Sequence, residues 1–335
     1  MYSINEIEFT QWEEQWQNCQ HVNLLQSWQY GEAKQNVENW VAHRFVILNE
    51  NNEKIALTQI LVKRISVFGS IARINRGPLI IGQIEEQQDQ ELIALNAIDA
   101  LITECRKKGW RMLQIAPELN GSKVVINRLR NLGLRQLSAP AWASGLLSLK
   151  KSQEELLMGL NSKWRNCLRK GWRSEISINN PNLNTQNLQK VLDSYKILQQ
   201  EKKFSGISEL LMRSLALQNC DSWELNIFIA SEKESDETDE PIGTLVSVRY
   251  GNTSIYLVGT TNLKGRKLNA NYVLLWEAIL NAKNDGCKWF DIGGLDEKTP
   301  PGIAHFKNGL NANSYALIGE WRLFNFPWKR NKFLF

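Results

Sequence analysis

Two stretches of the chain follow one plan, and any fold must accommodate both. "ELIALNAIDALITECRKKGWRMLQIAPEL" (91–119) and "NANYVLLWEAILNAKNDGCKWFDIGGLDE" (269–297) open with apolar residues at helical spacing. Each then passes a polar turn ending in Gly109 or Gly286 and closes in a short apolar strand. Leu95, Ile98 and Ile102 form the first stripe; Leu274, Leu275, Ala278 and Ile279 form the second. Ahead of each helix lies a β-hairpin pattern, "RFVILNENNEKIALTQILVKRISVFGSIARINRGPLI" in one half and "LNIFIASEKESDETDEPIGTLVSVRYGNTSIYLVGTT" in the other. Two copies of strand–strand–strand–helix–strand predict a duplicated α/β (α+β) module. The length, 335 residues, also exceeds one ordinary core. The break is expected within Ser138–Leu149, where "SAPAWAS" interrupts the pattern, giving domains 1–145 and 146–335.

Composition narrows the chemistry. Five scattered cysteines with no CxxC pair argue for free thiols in a reducing compartment, and three histidines make a histidine-based metal site unexpected. The first residues lack the basic start and apolar run of a signal peptide, so a cytoplasmic protein is expected. Net charge is +5, but "SEKESDETDEP" (231–241) holds six acids and one lysine, so the remainder carries +10. That run reads as a solvated hairpin loop, and the basic remainder suggests a polyanionic partner.

An antiparallel meander feeding a helix and a further strand resembles the GNAT acyltransferase module. A GNAT enzyme that uses acyl-CoA holds the pyrophosphate on an R/Q-x-x-G-x-G/A loop at a helix N-terminus. In "GRKLNANYVL", Arg266 matches the basic residue, but Asn269 and Asn271 stand at the glycine positions. "GQIEEQQDQEL" in the first half is acidic. Neither copy is therefore expected to bind CoA, and no cofactor is expected.

"LLQSWQYGEAK", "INRGPLI", "PIGTLVSVRYGNTSIYLVGTT", "NANYVLLWEAILNAKNDGCKWFDIGGLD", "GIAHFKNGLNA" and "GEWRL" occur in the order found in a known family. The chain resembles the FemABX family of peptidoglycan-bridge aminoacyltransferases, tandem GNAT-like proteins with a central cleft. The resemblance implies transfer of an amino acid from aminoacyl-tRNA, as co-substrate, to an amine of UDP-MurNAc-pentapeptide or lipid II. Contact with the inner membrane face goes with a lipid-linked acceptor.

Particular residues carry over. Lys307, in the "FK.G" segment, is implied at the acyl-transfer site, and a fixed ammonium suits the oxyanion formed there. "WFDIGGLDEKTPPGIAHFK" presents it after a loop stiffened by Pro300-Pro301-Gly302; alone, it would read as a surface lysine. Lys34 corresponds to a lysine on the precursor diphosphate. Beside it Trp28 and Tyr30 are placed to flank a sugar or base, and Gln26 and Ser27 offer hydrogen bonds. Arg213 is spaced as a second phosphate clamp, and Arg76 and Tyr256 are implied to line the cleft. Asp291 is either a general base or the cap of the glycine turn.

In "NSKWRNCLRKGWRSE" (161–175), Arg165, Arg169 and Arg173 share one helical face, widened by Lys163 and Lys170 and interleaved by Trp164 and Trp172. The face suits tRNA or an anionic surface, or is simply solvated over two buried tryptophans. Two departures stand out. "GLNANSY" replaces the family's "GFGG", and the charged helical arm of some members is absent. Two rivals stay open, a tandem-GNAT N-acyltransferase with another acceptor and a non-catalytic binder of phosphorylated glycans.

Overall fold

A computed structural model describes residues 2–65, 69–204, 206–218, 220–233 and 240–325. Most of the acidic run lies outside these residues. Along the chain come β1 (Ser3–Glu6), α1 (Phe9–Asn18), α2 (Trp28–Glu38), β2 (Val41–Leu48), β3 (Lys54–Ile65), β4 (Gly69–Asn75) and β5 (Leu79–Ile80). There follow α3 (Gln87–Lys107), β6 (Met112–Ala116), α4 (Lys123–Asn131), β7 (Arg135–Gln136), β8 (Ala143–Ser148), α5 (Gln153–Gly159) and α6 (Ser162–Trp172). Next are β9 (Ile176–Asn179), α7 (Thr185–Lys202), α8 (Glu209–Ala216), β10 (Trp223–Glu232), β11 (Gly243–Tyr250) and β12 (Thr253–Thr261). The chain ends with α9 (Leu263–Lys267), α10 (Ala270–Asn284), β13 (Trp289–Asp291), α11 (Pro301–Asn308), β14 (Asn313–Ala316) and β15 (Trp321–Phe324).

These elements form two compact units. One holds 1–21, 25–141 and 317–335; the other holds 22–24 and 142–316. The first division lies within the stretch named from the sequence. A second, at 316–317, is absent from the division 1–145 and 146–335. Its cause is β15, whose antiparallel partner is β6, Trp321 opposite Ile115. Sheet pairing at such separation leaves no local sequence signal.

The first unit is built on a sheet ordered β1-β2-β3-β4-β6-β15-β7, with β5 added on β3. The helical stripe expected on α3 is real: Leu95, Ile98, Leu101, Ile102 and Cys105 are buried against Phe45, Ile60, Ile74, Leu113 and Trp321. The second unit is built on a sheet ordered β14-β8-β13-β12-β11-β10-β9. Its α10 is apolar nearly all round and buries Val273, Leu274, Leu275, Trp276, Ala278 and Ile279 with Phe228, Leu245 and Phe290. In both units the strand after the long helix runs parallel to the last long strand before it, β6 on β4 and β13 on β12. The expected strand–strand–strand–helix–strand module is present twice, in two sheets of mixed α/β type.

Candidate active site

In the second unit two parallel strands part, and a lysine fills the gap. β12 and β13 pair from Thr253↔Trp289 to Ile255↔Asp291, where the ladder stops. On β12 the cause is a bulge: Val246 of β11 faces Val258 and Ser247 faces Tyr256, leaving Leu257 extra. On β13 the cause is Gly293, which turns the chain at φ +75°. A Cβ there would lie 2.7 Å from the Tyr256 carbonyl oxygen and 3.1 Å from Lys307 Nζ, so only glycine fits.

Lys307 arrives on α11. The sequence pointed to a stiff loop before it; the structure instead starts a helix there, with Pro301 at the first helical turn, where its preset φ and missing N–H cost nothing. The helix is inverted in polarity. Lys307 is 6% exposed while Ile303 is 46% exposed. Burying an ammonium and exposing an isoleucine is unfavourable for folding, which makes Lys307 a candidate for a functional role. Lys307 Nζ donates to the Gly294 carbonyl (3.1 Å) and stands 5.0 Å from the centroid of the Tyr256 ring. Desolvation pulls its pKa down from 10.5 to about 8, against the opposing charges of Asp291 and Asp296. Burial pushes the Tyr256 phenol up.

Asp291 is 1% exposed and caps the turn. Its Oδ1 accepts from the Gly293 amide (2.9 Å) and from Ser144, whose hydroxyl proton is shared with the Gly293 carbonyl (2.8 Å). Oδ2 accepts from the Tyr315 hydroxyl (3.0 Å), which accepts from Trp142 Nε1 (3.2 Å). With both oxygens engaged, Asp291 is arranged to shape the glycine turn and to set charge beside Lys307.

The remaining expected residues are spread through the molecule. In the second unit, Arg213 on α8 is held by Glu209 (2.8 Å) and by Gln189 of α7, away from the Lys307 contacts. Arg165 is intramolecular: its Nη1 donates to the carbonyls of Leu157, Met158 and Leu160, closing the C-terminus of α5. Arg169, Lys170 and Arg173 are exposed. Trp164 is buried, whereas Trp172 is 43% exposed rather than buried with it.

In the first unit, the "LLQSWQYG" landmark proves largely structural. Gln26 bonds the backbone of Gln59 (2.8 Å) and Asn75 (2.7 Å), and Ser27 caps α2 through the Tyr30 amide (3.2 Å). Trp28 lies under the Arg44 guanidinium, 3.6 Å from ring centroid to Cζ. Lys34 is ion-paired with Glu38 one turn on. Arg76, at φ +49°, forms a two-pronged bond with Glu118 (2.7 and 2.6 Å). Sequence reasoning missed Ser144 and Tyr315, which reach Asp291 from β8 and β14 as neighbours in the sheet order.

The comparisons with known proteins bear on this geometry. Residues 182–334 match the FemAB family, a segment that contains Arg213, Tyr256, Asp291 and Lys307. Among curated proteins none matches. Of solved structures, FemX superposes with a TM-score of 0.78 at 15% identity, covering 96% of this chain and 97% of that one. A tandem GNAT protein from the clavulanic acid biosynthesis pathway gives 0.56 at 10% identity, covering 98% and 99%. L-PGS from Bacillus licheniformis gives 0.54 at 12% identity, covering 95% and 92%. These likenesses show a tandem GNAT-like fold. The chain is thus similar to the FemAB family over residues 182–334 and shares the fold of FemX along nearly its whole length.

Proposed function

We propose that the protein transfers an aminoacyl group from aminoacyl-tRNA to an amine of a peptidoglycan precursor, either UDP-MurNAc-pentapeptide or its lipid-linked form. The observation that carries this is the buried Lys307 ammonium at the parted end of β12 and β13. An ammonium has three donors; one is used on Gly294, which leaves two for a ligand. In the reaction the acceptor nitrogen attacks the ester carbonyl and a C–N bond forms. The carbonyl oxygen becomes an oxyanion, to which Lys307 donates without reorganising. The C–O bond to the tRNA ribose then breaks, and the proton lost by the amine ends on the leaving ribose oxygen. Asp291 holds the Gly293 turn that keeps the Lys307 amine in place, and acts as a positioning residue.

Lys34, Arg213 and Arg76 are proposed for the precursor, with Trp28 and Tyr256 beside it. Each of the three cations has an acidic neighbour, Glu38, Glu209 and Glu118, which a phosphate would displace or join. Arg169, Lys170 and Arg173 are proposed for the tRNA backbone or an anionic membrane surface, and Arg165 is left out because it closes α5. No helix among the described residues is long and apolar enough to cross a membrane. For the donor, Arg266 is turned onto the Thr261 carbonyl (3.3 Å), a poor posture for a CoA pyrophosphate. Asn269 takes a left-handed conformation at φ +60°, which asparagine tolerates where glycine would be usual. The test is transfer in vitro from mixed charged tRNAs to both precursor forms, read by mass spectrometry, with acetyl-CoA as competing donor. Aminoacylated precursor is expected; acetylated precursor alone would overturn the reading.

A further inference from the structure

α11 has eight residues, so its position depends on how its ends are held. Its C-terminal carbonyls find different partners. His305 O accepts from the Gly309 amide (3.3 Å), Lys307 O from the Leu310 amide (3.1 Å) and Asn308 O from the Asn311 amide (3.1 Å). The carbonyl of Phe306, directly before Lys307, accepts from Trp164 Nε1 (3.0 Å) of α6. Further contacts surround this bond. The Trp164 ring stacks on Phe306 at 6.0 Å and 25°. Tyr272 of α10 meets both rings edge-on at 5.1 Å. The Asn161 amide donates to Gly309 O (2.9 Å), and Asn311 Nδ2 donates to Gly159 O (2.8 Å). Gly309 is required here, because a Cβ would stand 2.5 Å from Trp164 Cδ1.

Trp164 differs from the four most deeply buried tryptophans. The indole N–H groups of Trp12, Trp223, Trp276 and Trp321 have no hydrogen-bond partner among the described residues. That of Trp164 is satisfied, as is usual for a buried indole, and its partner is the peptide group beside Lys307.

We propose that Trp164 is a second positioning residue of the acyl-transfer site, holding α11 so that the Lys307 amine sits in the gap between β12 and β13. The proposal rests on the reading of Lys307 as the transfer group, and it gives α6 a second task besides its exposed basic face. If the indole bond is lost, α11 is free to shift. Water then reaches Nζ, and the lysine returns toward ordinary titration while the fold persists. The charged and titratable groups facing Nζ are Asp291 from β13, Asp296 from the following loop and Tyr256 from β12.

The test is Trp164→Phe, which keeps a stacking ring and deletes the N–H. Its kcat should fall roughly tenfold, as for a small misplacement of a reacting group, with both KM values within about twofold. Independently of activity, NMR titration of labelled lysine side chains should show Lys307 titrating at higher pH than in the unsubstituted protein. Gly309→Ala, which pushes on Trp164 from the α11 side, should move both readouts the same way and serves if Trp164→Phe fails to fold. Trp223→Phe is the control for loss of an indole from the same unit's core and should move neither. If Trp164→Phe only lowers thermal stability, as a core aromatic would, with kcat and the Lys307 titration unchanged, the proposal falls. If instead Lys307→Met turns over normally, it is the assignment of Lys307 that falls, while the titration result still decides whether Trp164 holds the helix.

Discussion

The two copies of the module part company at the end of one parallel strand pair. In the first unit, β4 and β6 pair from Ile71↔Met112 through Asn75↔Ala116, to the last residue of both strands. The next residue, Arg76, is bonded twice to Glu118, so the end of the pair is sealed by a matched charge. In the second unit the ladder stops at Ile255↔Asp291, a bulge and Gly293 turn the strands apart, and a lysine with no acid in hydrogen-bond contact among the described residues occupies the space. The same order of elements thus yields one end closed by an ion pair and one end opened around a buried lysine. What distinguishes them is one extra residue, one left-handed glycine and the helix that follows.

The largest expected effect breaks or keeps this contrast directly. Lys307→Met should lower kcat by about a hundredfold or more, the size seen on losing one oxyanion donor, with little change in precursor KM. Lys34→Met should do the reverse, raising precursor KM and sparing saturated turnover. Steady-state transfer assays separate the two, and normal turnover of the Lys307 variant would make the open end inert.

The next effect concerns pH. Lys307 titrates near 8. If its ammonium serves the oxyanion, kcat falls about tenfold per pH unit above that point, since each unit removes nine-tenths of the charged form. Lys307→Arg, charged throughout, should lose this falling limb whatever activity it retains. A kcat that rises through pH 8 and then levels off would assign the neutral amine as a base instead.

Parts of this were legible in the sequence, for physical reasons. Apolar spacing marks α3 and α10, because burial of one stripe is local information, and Gly109 and Gly286 mark their ends. Lys307 was found through resemblance, not pattern: a lone lysine on a helix looks solvated, and its 6% exposure is a tertiary fact. Pro300-Pro301 reads as a stiff loop in the sequence and starts a helix in the structure, because proline signals helix starts and loops alike. Arg165 was grouped with Arg169 and Arg173 by spacing alone, but its guanidinium reaches back to the end of the preceding helix. Ser144, Tyr315 and Trp164 carry no signal of their own, since their partners lie 147, 24 and 142 residues away.

A smaller effect asks whether the second unit also carries the donor contact. Changing Arg169, Lys170 and Arg173 together to Gln should raise the KM for charged tRNA a few-fold and flatten its salt slope by about 2, near 0.7 per phosphate contact. Arg165→Gln should leave that slope alone and lower the melting temperature instead, because it uncaps α5. Equal slopes for all variants would return α6 to a solvated face.

The smallest effect is on stability, and its sign separates the two ends. Arg76→Met leaves Glu118 without its two-pronged partner and should destabilise by about 1–3 kcal/mol. Lys307→Met should stabilise. The lysine titrates near 8 in the fold against 10.5 for the free side chain, so the unfolded chain binds more protons between those values. Stability therefore rises with pH across that window, and below pH 8 the buried ammonium exerts its full cost, a few kcal/mol at most. Methionine removes that cost but leaves the Gly294 carbonyl only the long bond from the Thr299 hydroxyl (3.5 Å), for a net gain on the order of 1 kcal/mol. The gain should be present in denaturant titrations at pH 7 and shrink toward pH 10, where the native lysine is already neutral. A Lys307→Met protein less stable than the parent at pH 7 would mean that the open end, like the closed one, is held together by its charge.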